Sequence, residues 1–339
     1  MLNIFSELYH EYPERKAGSD AAAKVAQAIT DQASTLNLEA VTEKIKVFHF
    51  QNSLFSFILG SIATTIIGLY LPVPGLIIQI VFWLLLLGEI KRPTLAQLKS
   101  GEAENITVTI PARSKEVQKV VLTARYDTGT FLPTPLGLKP QMYWGLNLLL
   151  GLAVPVIQLI CIILNLPSIM LWSLLPLLVL AAFGFLPITH PDQFGLTGCS
   201  ALLESASILT RFRPSITTVI FYFTGAQSLN SGVQKLPALF KGGNPIYGLN
   251  LVETNRQGIG IVHREGFLPQ PGSNLVKEIL TEVASEKSIP VESITTSEVT
   301  PSYPLLSKKA NVISLAIPIE ETNANLRELL VGFIRKIEH

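Results

Sequence analysis

Charge is scarce in this chain. Asp, Glu, Lys and Arg make up 15% of its 339 residues, against about 25% in an ordinary globular protein. The two signs nearly cancel, with 26 basic and 25 acidic residues. That balance excludes nucleic-acid binding driven by a basic field and an acidic disordered chain. Cysteine is scarcer still. Cys161 and Cys199 are the only two, too few for a disulfide framework or a Cys-rich zinc site. No His-Glu-x-x-His helix, Gly-x-Ser-x-Gly elbow or phosphate-binding glycine loop occurs, so the common motifs of zinc proteases, serine hydrolases and nucleotide binders are missing.

The missing charge has an address. Residues 51–88 and 140–191 contain no Asp, Glu, Lys or Arg at all. The rest of the chain is about one-fifth charged, close to ordinary composition. A bilayer crossing takes about 20 apolar residues, so each window is long enough for a helical hairpin. Pro72, Pro74 and Gly75 would turn the first, and the Asn-Leu-Pro-Ser string at 165–168 the second. Pro155 and Pro176 would kink the legs of the second. The expectation is therefore an integral membrane protein with two transmembrane hairpins and four crossings. The short turns lack Lys and Arg, whereas Lys44, Lys46, Lys91, Arg92 and Lys139 flank the windows, which predicts a charged domain on the cytoplasmic side.

The charged segments 1–50, 89–139 and 192–339 alternate helix and strand. Residues 18–35 are Ala-rich and helical, with Ser19 or Asp20 as cap. Strands are expected at 43–50, 105–111, 119–127, 217–226, 245–254 and 311–318. Helices are expected at 198–211, 272–287 and 322–337. The pattern predicts one α/β domain assembled from the three segments, a three-layer, mostly parallel twisted sheet with helices on both faces.

Several strings, in order, resemble the zinc-dependent aminopeptidases of metallopeptidase family 28, which includes the glutaminyl cyclases. They are YPERKAGSDAAAKVAQAI near the start, KVVLTARYDTG at 119–129, GLTGCSALLESASIL at 195–209, TTVIFYFTGAQS at 217–228 and NLVETN at 250–255. The resemblance implies a zinc-aminopeptidase-like fold over the three segments. In the family two zinc ions and a glutamate general base act on a bridging water. Matched position by position, the ligands are gone. Arg125 stands where the first His ligand belongs, with Asp127 in the place of its partner. The bridging-carboxylate region falls on Gln193, beside Asp192. Gln227 and Ser228 replace two glutamates. Val252 replaces the third carboxylate, with Glu253 next to it. Ser302-Tyr303-Pro304 stands before the last strand, and no His lies between His263 and His339.

The resemblance implies a catalytically degenerate relative of the family that needs no metal or other cofactor, and the uncharged windows add the expectation that it is membrane-integrated. Arg125, Asp127, Asp192, Gln193, Gln227, Ser228, Val252, Glu253 and Tyr303 line its vestigial pocket. Its role would be binding, scaffolding or assembly, its partners the lipid bilayer and a membrane protein or peptide-like ligand, with no nucleic acid. The alternative is a membrane-bound zinc aminopeptidase or related hydrolase with relocated ligands, drawn from Asp127, His190, Asp192 and Glu253. Cys199 is expected to be a core residue.

Overall fold

A computed structural model describes residues 2–15, 17–48, 50–91, 100–128, 140–166, 171–176, 178–179, 196–226, 236–265, 269–296, 303–306, 310–319 and 324–339. The chain divides into two compact units. One comprises Met1–Val47, Gly101–Thr130 and Pro191–His339, the other Phe48–Ser100 and Phe131–His190.

The first unit opens with α1 (Leu2–Glu11) and α2 (Asp20–Thr35). Ser19 starts α2 because its backbone is extended and its hydroxyl accepts the Ala22 N–H at 3.2 Å. Asn37 follows the helix with φ +55, the left-handed conformation that lets a chain leave a helix sharply. Ala22, Val25, Ala26, Ile29 and Ala33 form the buried stripe. The remaining elements are β1 (Ala40–Phe48), β2 (Ser100–Ile110), β3 (Gln118–Arg125), β4 (Thr217–Thr224), β5 (Ile246–Thr254), β6 (Ile259–Glu265), β7 (Gln270–Pro271), β8 (Val291–Thr296) and β9 (Asn311–Pro318). The first unit's other helices are, in the numbering used below, α6 (Thr197–Arg211), α7 (Leu236–Leu239), α8 (Asn274–Glu286), α9 (Tyr303–Leu306) and α10 (Ala324–Glu338).

The strands join one sheet in the order β1-β2-β4-β3-β5-β9-β6-β7, with β8 on β6. Strands β4, β3, β5 and β9 are parallel neighbours, and β6 is parallel to β8. Strand β2 runs antiparallel to β4, and β6 antiparallel to β9 and β7. The sheet is therefore mixed, where a mostly parallel one was expected. The reason is connection length. A parallel neighbour needs a crossover of about a dozen residues. The links from β2 to β3 and from β5 to β6 are far shorter, so β2 and β6 run against the central four.

Alternation along the strands builds two cores. Val120, Leu122 and Ala124 of β3, Phe221 and Phe223 of β4, Leu251 of β5 and Leu315 of β9 share one core with α2, α6, α8 and α10. The intervening Val121, Ile220, Tyr222 and Val312 pack with Leu236 of α7 and Leu305 and Leu306 of α9. In the first unit α2, α6, α8 and α10 thus share one core, and among the described residues two single-turn helices serve the other.

The smaller core contains a polar row. The Thr123 hydroxyl donates to Asn250 Oδ1 at 2.7 Å, Asn250 Nδ2 to Ser314 Oγ at 3.3 Å, and the Ser314 hydroxyl to Glu265 Oε2 at 2.7 Å. Thr123, Asn250 and Ser314 are register partners on three adjacent strands.

The second unit contains α3 (Phe50–Tyr70), α4 (Pro72–Lys91) and α5 (Pro140–Ile163). A Cβ on Gly75 would lie 2.5 Å from Gly68 Cα, so glycine is what lets α3 and α4 approach. Buried hydroxyls and amides connect the three helices. Gln79 Nε2 donates to Ser61 Oγ at 2.9 Å, the Thr64 hydroxyl donates to Gln79 Oε1, and Gln158 Nε2 donates to Thr65 Oγ1 at 2.9 Å. Large apolar side chains such as Ile67, Leu84, Val156 and Ile163 are exposed.

The expected transmembrane hairpins at 51–88 and 140–191 are not found. Among the described residues no helix is long and apolar enough to cross a membrane. Polar side chains lie within α3 over 58–70, α4 over 72–85 and α5 over 152–163. The buried positions of these stretches include Ser61, Thr64, Thr65, Gln79 and Gln158. The expectations of four crossings, of a polytopic membrane protein and of a domain held on the cytoplasmic side are corrected on this finding.

Candidate functional site

The site lies where β3 and β5 end, the place at which open α/β sheets bind ligands. Arg125 is the last residue of β3 and Glu253 the next to last of β5. Helix α6 begins against both strands, because a Cβ on Gly198 would lie 3.3 Å from Ala124 Cβ and 3.5 Å from Leu251 Cβ. The residue before α6, Leu196, offers no side-chain cap. Glu253 supplies one instead, its Oε1 accepting the Gly198 N–H at 2.8 Å. A carboxylate at a helix N-terminus also meets the positive end of the helix dipole.

Arg15 reaches the site from the segment between α1 and α2. Its side chain is fully buried. Nε donates to the Tyr126 carbonyl at 3.0 Å and Nη1 to the Tyr12 carbonyl at 2.6 Å. Its backbone pairs twice with Thr128, the Arg15 N–H with the hydroxyl at 2.8 Å and the Thr128 N–H with the Arg15 carbonyl at 2.8 Å. Cys199, on the first turn of α6, is buried, and its thiol donates to the Arg125 carbonyl at 3.2 Å.

Burial dominates the electrostatics. It pushes the Glu253 carboxyl up to about 7, opposed by the Gly198 N–H and by the charges of Arg125 and Arg15. It lowers the Arg15 guanidinium from its ordinary value, opposed chiefly by Glu253. It raises the Cys199 thiol well above the usual range, Glu253 adding to the effect. Arg15, Arg125, Asp127, Cys199 and Glu253 thus sense one another as a single charge cluster.

Of the residues expected in the vestigial pocket, Arg125, Asp127 and Glu253 meet in this cluster. Val252 is buried beside them, paired in register with Ala316 of β9. Tyr303 begins α9. Asp192, Gln193, Gln227 and Ser228 lie outside the described residues, as does His190 of the relocated set. His263 sits on β6 with its ring nitrogens 3.2 Å from Ser293 Oγ and 3.2 Å from Thr295 Oγ1 of β8. Sequence reasoning overlooked Arg15 and Thr128. The signal for Arg15 was available in the Arg-x-x-Gly-Ser string that begins with it.

The zinc ions that this kind of fold implies do not suit the residues described. Two guanidiniums act on Glu253, whose Oε1 is engaged by the start of α6. Among the described residues no group of three or more His, Cys, Asp and Glu side chains could hold a metal ion.

No protein-family model matches this chain, and no curated protein does. Solved structures do. The glutaminyl cyclase of Fimbriiglobus ruber matches with a TM-score of 0.55 at 12% identity, over 98% of this chain and 92% of that one. An Acidobacteriales bacterium glutaminyl cyclase matches with a TM-score of 0.53 at 12% identity, over 99% and 92%. A Zn-dependent exopeptidase from Parabacteroides distasonis matches with a TM-score of 0.50 at 10% identity, over 98% and 96%. At such identities the likeness shows the fold alone. The chain has the mixed α/β fold of these enzymes, as the sequence strings implied. The narrower expectation of a degenerate, membrane-integrated relative finds no support in them.

Proposed function

We propose that this chain is a binding module on a zinc-exopeptidase-like fold, taking carboxylate-bearing, peptide-like ligands at the ends of β3 and β5 without hydrolysing them. One observation carries the reading: Arg125 ends β3 and the fully buried Arg15 donates to the carbonyl of the next residue, Tyr126, so two guanidiniums lie at the strand ends where open α/β sheets bind ligands. A guanidinium repels a dication and matches a carboxylate in fork geometry. A hydrolytic general base must reach the proton of an attacking water, and Glu253 is instead buried and engaged by the Gly198 N–H at 2.8 Å. Arg125, half-buried at the strand end, would meet the ligand carboxylate, and Arg15 would support the cluster from within.

The test combines three measurements on the full chain. Elemental analysis reads zinc, peptidase and glutaminyl-cyclisation assays read turnover, and calorimetry compares N-acetyl-trialanine with its C-terminal amide. The expected result is no stoichiometric zinc, no turnover, and binding that prefers the free carboxylate. Stoichiometric zinc together with turnover overturns the reading.

A further inference from the structure

The sheet has two outer strands, and they are built differently. Strand β1 ends the order on one side. Strand β8 is outermost on the other, because Arg264 of β6 pairs with Pro271 of β7 on one edge and with Thr295 of β8 on the opposite edge. An outer strand offers a row of backbone N–H and C=O groups to any extended chain, and proteins guard such rows with charged side chains, especially lysine, or with proline. Strand β1 is guarded in this way by exposed Glu43, Lys44 and Lys46. Strand β8, Val291–Thr296, has no Lys, Arg or Pro. Val291, Ile294, Thr295 and Thr296 are β-branched, the composition that favours strands. Its one charge, Glu292, is held by Arg256 Nη2 at 3.0 Å.

Strand β8 is also fixed in place. Ile294 is buried with Val262 and Ala316, and it lies over Gly260, where a Cβ would come within 2.8 Å of its Cδ1. Ser293 and Thr295 alternate with Ile294 and so point to the other face. There a bulge in β6 between Val262 and Arg264 aims His263 at β8, its ring nitrogens 3.2 Å from Ser293 Oγ and 3.2 Å from Thr295 Oγ1. A strand held this way loses little further freedom when its free edge is paired. Among the described residues no strand pairs with that edge.

The sequence of β8 suits a second copy of itself. Two copies related by a two-fold axis through the sheet pair antiparallel, and opposite residues share a face. With the axis at Ile294, Ile294 meets its own counterpart, Ser293 meets the counterpart of Thr295, and Glu292 that of Thr296. Opposed β-branched and hydroxyl pairs favour pairing, and like charges directly opposite disfavour it. Glu292 does not meet its like here. Strand β1 behaves oppositely. An axis at Glu43, Lys44 or Ile45 sets Glu43 against itself, Lys44 against itself, or Lys44 against Lys46.

We propose that β8 is a self-association edge: two copies of this chain pair β8 with β8, antiparallel, about a two-fold axis at Ile294, and their two nine-stranded sheets become one. A single short strand makes a small interface, so the dimer is concentration-dependent. The pairing uses no residue of the charge cluster around Glu253 and is independent of what binds there.

Sedimentation equilibrium of the full chain over a concentration series tests this. Wild type should pass from monomer to dimer as concentration rises. Ser293→Lys combined with Thr295→Lys sets like charges opposite one another in this register and should weaken dimerisation by about tenfold or more. Ser293→Glu combined with Thr295→Glu should do the same. Mixing the two variants should restore dimers that contain one of each. If a charged variant does not fold, Ser293→Cys and Thr295→Cys chains replace the pair. A disulfide should link the two on mixing under oxidising conditions and should form in neither alone, since the native Cys161 and Cys199 are buried. A wild type that stays monomeric at every concentration overturns the proposal. So does a dimer that the charged variants leave unchanged, or cysteine variants that never link on mixing, because the contact then lies elsewhere.

Discussion

The backbone N–H of Gly198 donates to Glu253 Oε1 at 2.8 Å, so a residue near the end of β5 caps a helix through a residue 55 positions earlier in the chain. The contact ties the start of α6 to the centre of the sheet. The helix start is close to the strands: a Cβ on Gly198 would lie 3.3 Å from Ala124 Cβ, which is tight, and 3.6 Å from Glu253 Oε1, which is ordinary. The same contact places a carboxyl in the core, where ionisation is costly.

Stability should consequently depend on pH through Glu253. Its folded value, about 7, lies above the ordinary 4.5, so the folded state holds a proton that the unfolded chain has released. The contribution is fully present below about pH 4.5 and is lost as pH rises to about 7. The slope is about 1.4 kcal/mol per pH unit and the total roughly 3 kcal/mol. Urea denaturation of wild type and Glu253→Gln between pH 5 and pH 8 checks this. The difference between the two should shrink toward low pH and grow toward pH 8 in favour of the glutamine. A constant difference would show that Glu253 does not titrate there.

Arg15 should be the most sensitive charged residue of the first unit. It is fully buried, donates to two carbonyls, and its backbone fixes Thr128. Arg15→Met leaves those carbonyls and Glu253 without their partner, a loss of about 3–5 kcal/mol by analogy with broken buried pairs. Arg15→Lys keeps the charge but lacks the planar fork that serves both carbonyls, so it should recover only part of the loss. Denaturation midpoints of the two variants decide the matter. Full rescue by lysine would mean that charge alone is required.

How much of this was legible beforehand follows from which interactions are local. The start of α2 at Ser19 could be read, because a cap acts on a residue three positions away. The central strands could be read from their apolar runs, since parallel strands are buried on both faces. The strings around Ser19 and Arg125 pointed to the right fold for the same reason. The mixed direction of the sheet was harder, because it depends on connection lengths and not on composition. The uncharged windows misled most directly. Composition places apolar residues but not the hydroxyls and amides that face one another, such as Gln79 and Ser61. The meeting of Arg15 with Glu253 joins residues far apart in the chain, and no local pattern announces it.

The polar row should act as a coupled unit. Ser314 accepts from Asn250 and donates to Glu265, with Thr123 feeding the row from β3. Ser314→Ala removes a link in the middle and leaves two buried groups short of a partner, at about 1–3 kcal/mol. Thr123→Val truncates only the end and should cost less. The double variant should lose less than the sum of the two, because the row is already broken. A double-mutant cycle on denaturation free energies reads the coupling. Strict additivity would mean that the bonds act separately.

Gly225 follows β4 and lies against its neighbour β2, and its place admits no side chain. An added Cβ would fall on the Tyr126 hydroxyl and on the Glu104 carbonyl oxygen. The first obstacle is a side-chain end, but the second is backbone of β2, held in the sheet by its pairing with β4. Tyr126 cannot swing away freely, because it is buried and its hydroxyl donates to that same carbonyl at 2.5 Å. Gly225→Ala should therefore destabilise by about 1–3 kcal/mol, the range for overpacking a filled core. Tyr126→Phe on that background removes one obstacle and leaves the carbonyl in place, so the double variant should regain only part of the loss. If it regained all of it in urea denaturation, the tyrosine hydroxyl alone would account for the glycine, and the backbone of β2 would be free to shift.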